Sequence, residues 1–444
     1  VGLDSSIFMH PKIWKSSGHI DAFNDPLIDN KDSKKRYRAD ELIESYIQKI
    51  KHKIEKEIKK ASKRFGSDFD EGKFCKTSPR ITKYLNEIEH ISSKMNSFLE
   101  NEELVNLKEL IESLNIVCPI SGTSNWTDVR QFNLMFGTKV GSVADEASDL
   151  FLRPETAQGI FVNFLNVQKT ARMKIPFGIA QIGKAFRNEI IARQFIFRMR
   201  EFEQMEMQFF VRPGEEMKWF EYWKKERLKW HKSLGISETN LKYHDHEKLA
   251  HYANAATDIE FNFPFGFKEI EGVHSRTDFD LSSHSKATNK KIQYFDPELN
   301  QNYTPYVVET SIGLDRMFLA VLCESYKEEG EAQDQRRYLK IPPILSPFKV
   351  AVLPLIKKDN LPEKAKEIYN VLKQDFNCYY EEKDSIGKRY RRQDAIGTPF
   401  CVTVDHETLE NNTITIRDRD TMSQERLKID SLNDIIKKKL FFNN

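Results

Sequence analysis

The stretch GKAFRNEIIARQFIFRMREFEQMEMQFF (Gly183–Phe210) interleaves Arg187, Arg193, Arg198 and Arg200 with Glu189, Glu201, Glu203 and Glu206 among phenylalanine, isoleucine and methionine. The large apolar residues predict burial. Burying a charge costs several kcal/mol unless it is paired or holds a ligand. The alternation in FGIAQIGKAFRNE and REFEQMEMQFFV predicts two antiparallel strands joined by a loop near Ile190–Arg200. Period-2 geometry then places Arg187 and Glu189 on one face, and Phe202, Gln204, Glu206 and Gln208 on one face of the return strand. A guanidinium fork suits phosphate, a phenylalanine face suits a nucleobase, and glutamates suit an ammonium group. The competing reading is a set of internal ion pairs bracing a sheet.

Three further segments carry the same residue types. In VVETSIGLDRMFLAVL (Val307–Leu322), Glu309 and Ser311 share a strand face, Gly313 opens the turn and Arg316 lies in the first turns of a helix. Such a helix start offers free N–H groups to an anion, although Arg316 could instead pair with Asp315. In FLRPETAQGIF (Phe151–Phe161), Arg153 and Glu155 share a strand face before a helix beginning near Thr156; in KEIEGVHSRTDFDL (Lys268–Leu281), acids crowd Arg276. There is no GxxxxGK[ST] and no GxGxxG, which removes the P-loop and Rossmann readings. His244, His246 and His251 form a weak metal candidate against the alternative of a polar helix start.

Bulk composition bounds the class. The chain has 444 residues, 31% of them charged, a net charge of +2, and no run of eighteen apolar residues, so a globular protein of two or three domains without a membrane span is expected. Any nucleic-acid binding must come from local patches. Cys75, Cys118, Cys323, Cys378 and Cys401 are scattered with no CxxC; no zinc is expected, and a reducing, cytoplasmic setting is. The opening VGLDSSIFMHPKIW lacks the marks of a signal peptide. From Lys34 to Phe65, twelve Lys/Arg face five Asp/Glu, with apolar residues at Leu42, Ile43, Tyr46, Ile47, Ile50, Ile54 and Ile58. This predicts an amphipathic helix with a basic outer face, either solvated or touching RNA phosphates. After IPPILSPFK near Ile341, alternating strand and helix patterns predict a small α/β domain.

AFRNE with FRMREFEQME resembles the second signature of class II aminoacyl-tRNA synthetases, and ETSIGLDR their third. RPETAQGIF, SGHIDAFNDP and SIGKRYRRQDAIG resemble glycyl-tRNA synthetases of the homodimeric type. The resemblance spans nearly the whole chain. It implies an α+β fold, an antiparallel sheet flanked by helices in residues 1–340 with a helical insertion at about 33–114, and a C-terminal α/β anticodon-binding domain at 345–444. It implies ATP and glycine as substrates, Mg2+, tRNA(Gly) and a homodimer. By the same resemblance Arg187, Asn188, Glu189, Arg198, Met199, Phe202, Glu269, Ile270 and Arg316 bind ATP. Arg187 takes the α-phosphate, Arg198 the γ-phosphate, and Phe202 with Arg316 the adenine; Glu269 also contacts Mg2+. Glu155, Glu206, Arg276, Glu309, Thr310 and Ser311 surround glycine, and Lys388, Arg389, Arg391 and Arg392 meet the anticodon. The family carries a long helix upstream of the strand with which this chain opens. A threonyl or prolyl enzyme is the nearest alternative, and three pocket carboxylates without a zinc-binding cysteine argue against threonine. A synthetase-like binding protein without catalysis is the other, and the presence of Arg187, Arg198 and Arg316 argues against it.

Overall fold

The computed structural model describes residues 1–444 except 67–68, 142–147, 191, 193, 247–248, 251, 332–334 and 442–444. His251 therefore lies outside the described residues. Three helices, α1 (Ala39–Phe65), α2 (Pro79–Glu100) and α3 (Leu104–Ser113), pack into one bundle. The apolar stripe of α1 turns Leu42, Ile43, Ile47, Ile50 and Ile54 inward, leaving Lys49, Lys51, Lys53, Lys56, Lys59 and Lys60 exposed. The bundle core extends beyond Leu114 to Ile116, Cys118, Trp126 and Val129. That stretch has no helical period, so its packing was invisible to pattern reading; Trp126 Nε1 donates to Ile116 O at 3.0 Å and pins it. At the base, strand Asn24–Asn30 pairs with Lys35–Arg38 and with Arg130–Asn133.

The centre of the molecule is a six-stranded antiparallel sheet. Its strands are β1 (Phe177–Phe186), β2 (Glu201–Val211), β3 (Leu241–Asp245), β4 (Ala255–Phe263), β5 (Gly266–Thr277) and β6 (Tyr306–Gly313), in spatial order β1-β2-β6-β5-β4-β3. The hairpin expected from the opening stretch is present, with Ala185 opposite Phe202 and Gln181 opposite Glu206. One sheet face is sealed. Met205, Met207, Phe209 and Val211 turn toward α5 (Glu216–Ser233) and α6 (Leu314–Ser325), where Phe220, Trp219, Trp223 and Met317 meet them. The other face is covered only at one end, where helix α4 (Ala157–Thr170) lays Ile160, Phe161 and Phe164 over Phe177, Phe210 and Val307. Glu206 and Glu309 lie further along the same face, outside that cover.

The C-terminal unit is a five-stranded sheet of β7 (Val350–Pro354), β8 (Cys378–Tyr380), β9 (Phe400–Val404), β10 (Thr413–Asp418) and β11 (Gln424–Lys428), ordered β8-β7-β9-β10-β11. The first three are parallel and the rest antiparallel. Helices α7 (Leu361–Leu372), α8 (Ile386–Ile396), α9 (His406–Asn411) and α10 (Leu432–Phe441) accompany them. The continuously apolar runs of β7 and β9 are buried throughout, as expected of strands covered on both faces. The short α9 and edge strand β11 were not expected from the sequence, because neither has a full apolar period.

Candidate active site

The uncovered end of the sheet face forms a cleft enclosing about 910 Å³, lined by Glu155, Arg187, Glu189, Arg198, Met199, Phe202, Glu206, Glu269, Arg276, Glu309, Ser311 and Arg316 among others. Residues as far apart in the chain as Glu155 and Arg316 thus meet, with β6 lying between β2 and β5.

The inner end of the cleft is a compact charge network. Glu206, Arg276 and Glu309 are 2%, 4% and 3% exposed. Arg276 donates to both Asp280 oxygens, at 2.8 and 3.0 Å, and to Glu309 Oε2 at 3.0 Å, with its guanidinium carbon 4.1 Å from the Tyr252 ring centroid. Glu309 also accepts from Gln208 Nε2 at 2.6 Å, and its Oε1 lies 2.8 Å from His274 Nδ1. Burial alone would raise the Glu309 pKa, but Arg276 and His274 hold it well below the usual carboxylate range. Glu155 is held low in the same way, by His19 at 3.4 Å and by Arg276, against its own burial. Glu206 goes the opposite way: burial, and then the charges of Glu309 and Glu155, push its pKa well above the ordinary value, although Thr156 Oγ1 donates to it at 2.5 Å. Glu309 and Glu155 are thus biased toward the ionised form and Glu206 toward the protonated one, and all three face the same small space. Gln204 Nε2 donates to Ser311 Oγ at 2.7 Å at its edge.

The outer end is cationic and aromatic. Arg187 extends from the end of β1, its Nε on Pro154 O at 3.1 Å and its guanidinium 5.3 Å from the Phe202 ring centroid. Arg316, at the start of α6, donates to Phe197 O at 3.0 Å and to Glu269 Oε2 at 3.2 Å, and lies 4.3 Å from the Phe197 ring centroid. It does not pair with Asp315, which instead accepts from the Glu203 backbone N–H at 2.7 Å. Arg198 lies 3.7 Å from Glu189 Oε2.

Several expected site residues are elsewhere. Thr310 sits opposite Met207 and Val273 on the sealed face, since its neighbours Glu309 and Ser311 take the cleft face. Ile270 is buried with Phe197, Phe261 and Ile312 in the core. Asn188 donates its backbone N–H to Leu134 O at 2.8 Å and does not line the cleft. Arg153 does not line it either; its guanidinium donates to the carbonyls of Lys184 at 2.6 Å and Ser5 at 2.8 Å. It follows the end of its strand, Ser148–Leu152, and does not share a strand face with Glu155. In the C-terminal unit Arg389 is 1% exposed and donates to Pro354 O, Leu355 O and Glu381 O, so it braces the fold and is withdrawn from phosphate contact. Arg392 is engaged with Glu381 and Asp384, leaving Lys388 and Arg391 on the exposed side of α8. His244 pairs with Glu260 and His246 with Asp258. Sequence reading placed Gln204 on the face of Phe202 and Glu206 without giving it a role, and missed Tyr252, Gly272 and His274 in the cleft; of these His274 was findable, standing two residues from Arg276 on a strand.

Comparison with known proteins identifies the family. Residues 138–326 match the tRNA synthetase class II core domain (G, H, P, S and T), residues 25–134 the glycyl-tRNA synthetase insertion domain 1, and residues 349–439 an anticodon binding domain. The chain is 50% identical over 441 residues to a glycine–tRNA ligase of Chlorobaculum tepidum, covering 99% of this chain and 88% of that protein. It is 49% identical to those of Staphylococcus haemolyticus and Macrococcus caseolyticus, covering the whole of this chain and 87% of each. The chain belongs to the glycyl-tRNA synthetase family of the class II aminoacyl-tRNA synthetases.

Proposed function

We propose that the protein ligates glycine to tRNA(Gly) in two steps, with ATP as co-substrate and a glycyl-adenylate between them. The observation that carries this reading is the convergence of Glu155, Glu206 and Glu309 with Arg187, Phe202 and Arg316 in one cleft. The glycine ammonium would sit among the three carboxylates, next to Ser311. Its carboxylate oxygen then attacks the α-phosphorus, a new P–O bond forms, the bond to the β-phosphate oxygen breaks, and pyrophosphate leaves. Arg187 would hold the α-phosphate, Arg198 the γ-phosphate, and Phe202 with Arg316 the adenine.

A carboxylate is already ionised, so the step needs no dedicated base. It needs two anions brought together in line, and positioning supplies about 7–11 kcal/mol of such a barrier. Fixed guanidinium groups stabilise the charge that builds on phosphorus. Mg2+ would add to that stabilisation, and the half-exposed Glu269 carboxylate at the cleft rim offers the hard oxygen donor that this ion takes. A terminal ribose hydroxyl of tRNA then attacks the acyl carbon and AMP leaves.

Selectivity for the smallest amino acid must come from exclusion. Losing a methylene changes binding by only ~1–3 kcal/mol. A buried, cross-braced ring of carboxylates, in which Arg276, Gln208 and His274 hold Glu309, cannot retreat from a β-carbon without breaking charged hydrogen bonds.

The domain division at about residue 340, with the last domain serving the anticodon, belongs to the same reading. So does the homodimeric type, which is supported by one chain carrying both core and anticodon module. Amino-acid-dependent ATP–pyrophosphate exchange across all twenty substrates tests the reaction: glycine alone should support it. Exchange driven by threonine or proline in preference to glycine would overturn the assignment, and sedimentation at micromolar concentration reads the assembly.

A further inference from the structure

Strands β3, β4 and β5 bring together three side chains that the reaction above does not use as a group. His246 directly follows β3, Asp258 stands on β4 and His274 on β5. One ligand atom of each lies within 4.8 Å of the other two, and His246 Nε2 is 2.8 Å from Asp258 Oδ2. The strand register explains the meeting: Asp258 is opposite Gly272, and Ala256 is opposite His274 while its carbonyl accepts from the His246 backbone N–H.

An ordinary histidine–aspartate pair explains the 2.8 Å contact but not the other two features. The first is Gly272. A Cβ at that position would lie 3.1 Å from His274 Nε2, 2.8 Å from its Cε1 and 3.6 Å from Asp258 Oδ1, so only glycine leaves this space open between the ligand atoms. The second is the partner of His274. Its Nδ1 faces Glu309 Oε1 at 2.8 Å, which makes Nδ1 the proton donor and turns the Nε2 lone pair toward the cluster. A carboxylate behind a ligating histidine is the usual support of a metal-binding imidazole, orienting the ring and raising its basicity. A four-coordinate ion with bonds of about 2.0–2.1 Å keeps its donors about 3.3 Å apart, so binding would draw these ligand atoms inward from the 4.8 Å within which they already lie. Leu249, Ala250 and Ala253 line a shallow cavity over His246 and His274, with room for water as the remaining ligand.

We propose that His246, Asp258 and His274 form a binding site for one divalent transition-metal ion beside the glycine pocket. Two imidazoles and one carboxylate suit Zn2+ and its spectroscopic substitute Co2+, and disfavour Mg2+ and Ca2+. The site is distinct from the Mg2+ position at the cleft rim, and it rests on side chains, not on the assignment of the reaction. Its occupant would reach glycine recognition through one bridge, His274 to Glu309.

The test uses the full chain after chelator treatment, titrated with Co2+ alone and followed by visible absorption, with bound Zn2+ counted by atomic emission after dialysis. Wild type should take up one ion per chain with the absorption of a low-coordinate N/O site. His246→Ala and the near-isosteric Asp258→Asn should each weaken it by roughly 100-fold or more, since loss of even an outer-shell partner costs about 10–100-fold. Both variants should keep wild-type melting curves and wild-type glycine-dependent exchange in Mg2+ without added transition metal. Equal uptake by wild type and both variants, or uptake by none of them, overturns the proposal.

Discussion

At the scale of single residues the decisive fact is that Glu206 and Glu309, two strand neighbours on one sheet face, carry opposite pKa shifts. Arg276 and His274 favour the ionised form of Glu309, whereas burial and two neighbouring carboxylates favour the protonated form of Glu206. A glycine ammonium entering this space favours the ionised form, so binding should expel the Glu206 proton. Calorimetry of glycine binding near neutral pH, repeated in buffers of different ionisation enthalpy, should show about one proton released per glycine. The sign follows directly: kcat/KM for glycine rises with pH until Glu206 is ionised in the free enzyme, then levels. Release of no proton would show that Glu206 is already charged. The same logic makes Glu206→Gln the informative substitution. It mimics the protonated carboxyl and should leave the melting temperature within a degree or two, yet it cannot supply the charged hydrogen bond, worth about 1.5–3 kcal/mol. We expect kcat/KM for glycine in pyrophosphate exchange to fall by roughly 10–150-fold, and unchanged exchange would remove Glu206 from the glycine site. Glu309→Ala is expected to be worse for activity and for stability, because it removes the shared acceptor of Arg276 Nη1, Gln208 Nε2 and His274 Nδ1.

At the scale of elements, strand adjacency and register irregularities in β5 do the positioning. The bulge opposite Ile259/Glu260 reverses the alternation on β5, so Glu269 lines the cleft while Glu271 turns back under α5 to meet Arg227 and His231. Alternation read from the sequence alone would have put both glutamates on one face. A second buried charge cluster joins the C-terminal unit to the strand Arg336–Leu339. Asp394 on α8, with no exposed surface, accepts from Arg336 Nε at 3.0 Å and from Arg417 at 2.8 and 3.0 Å. Removing one partner of such a cluster costs about 3–5 kcal/mol. Asp394→Ala should therefore lower the urea midpoint of the C-terminal unit markedly while glycine-dependent exchange, which uses only the cleft, persists in native conditions. An unchanged midpoint would mean that the arginines find other partners.

At the scale of the whole molecule, activation and tRNA reading sit on separate units, and variants should separate them. On α8 Arg389 is buried and held by carbonyls of its own unit and Arg392 is half-buried, whereas Lys388 and Arg391 are exposed. The double variant Lys388→Glu/Arg391→Glu should leave pyrophosphate exchange unchanged and weaken aminoacylation, with a reduced salt dependence of tRNA binding. Equal aminoacylation at all salt concentrations would place the tRNA elsewhere. What the sequence determined by itself is whatever depends on local period and residue chemistry: the hairpin of the opening stretch, the basic amphipathic helix, the strand-to-helix turn at Gly313, the alternating C-terminal unit, and the residue types a nucleotide and an amine require. Only the tertiary structure decided which of those residues converge. Thr310, Ile270 and Arg389 belong to matching motifs yet point into cores or onto backbone, whereas Tyr252, His274 and Gly272 joined the site unannounced. The physical reason is that a side chain's chemistry is local, whereas its facing is set by strand register, by a bulge, and by the competition of buried charges for partners distant in the chain.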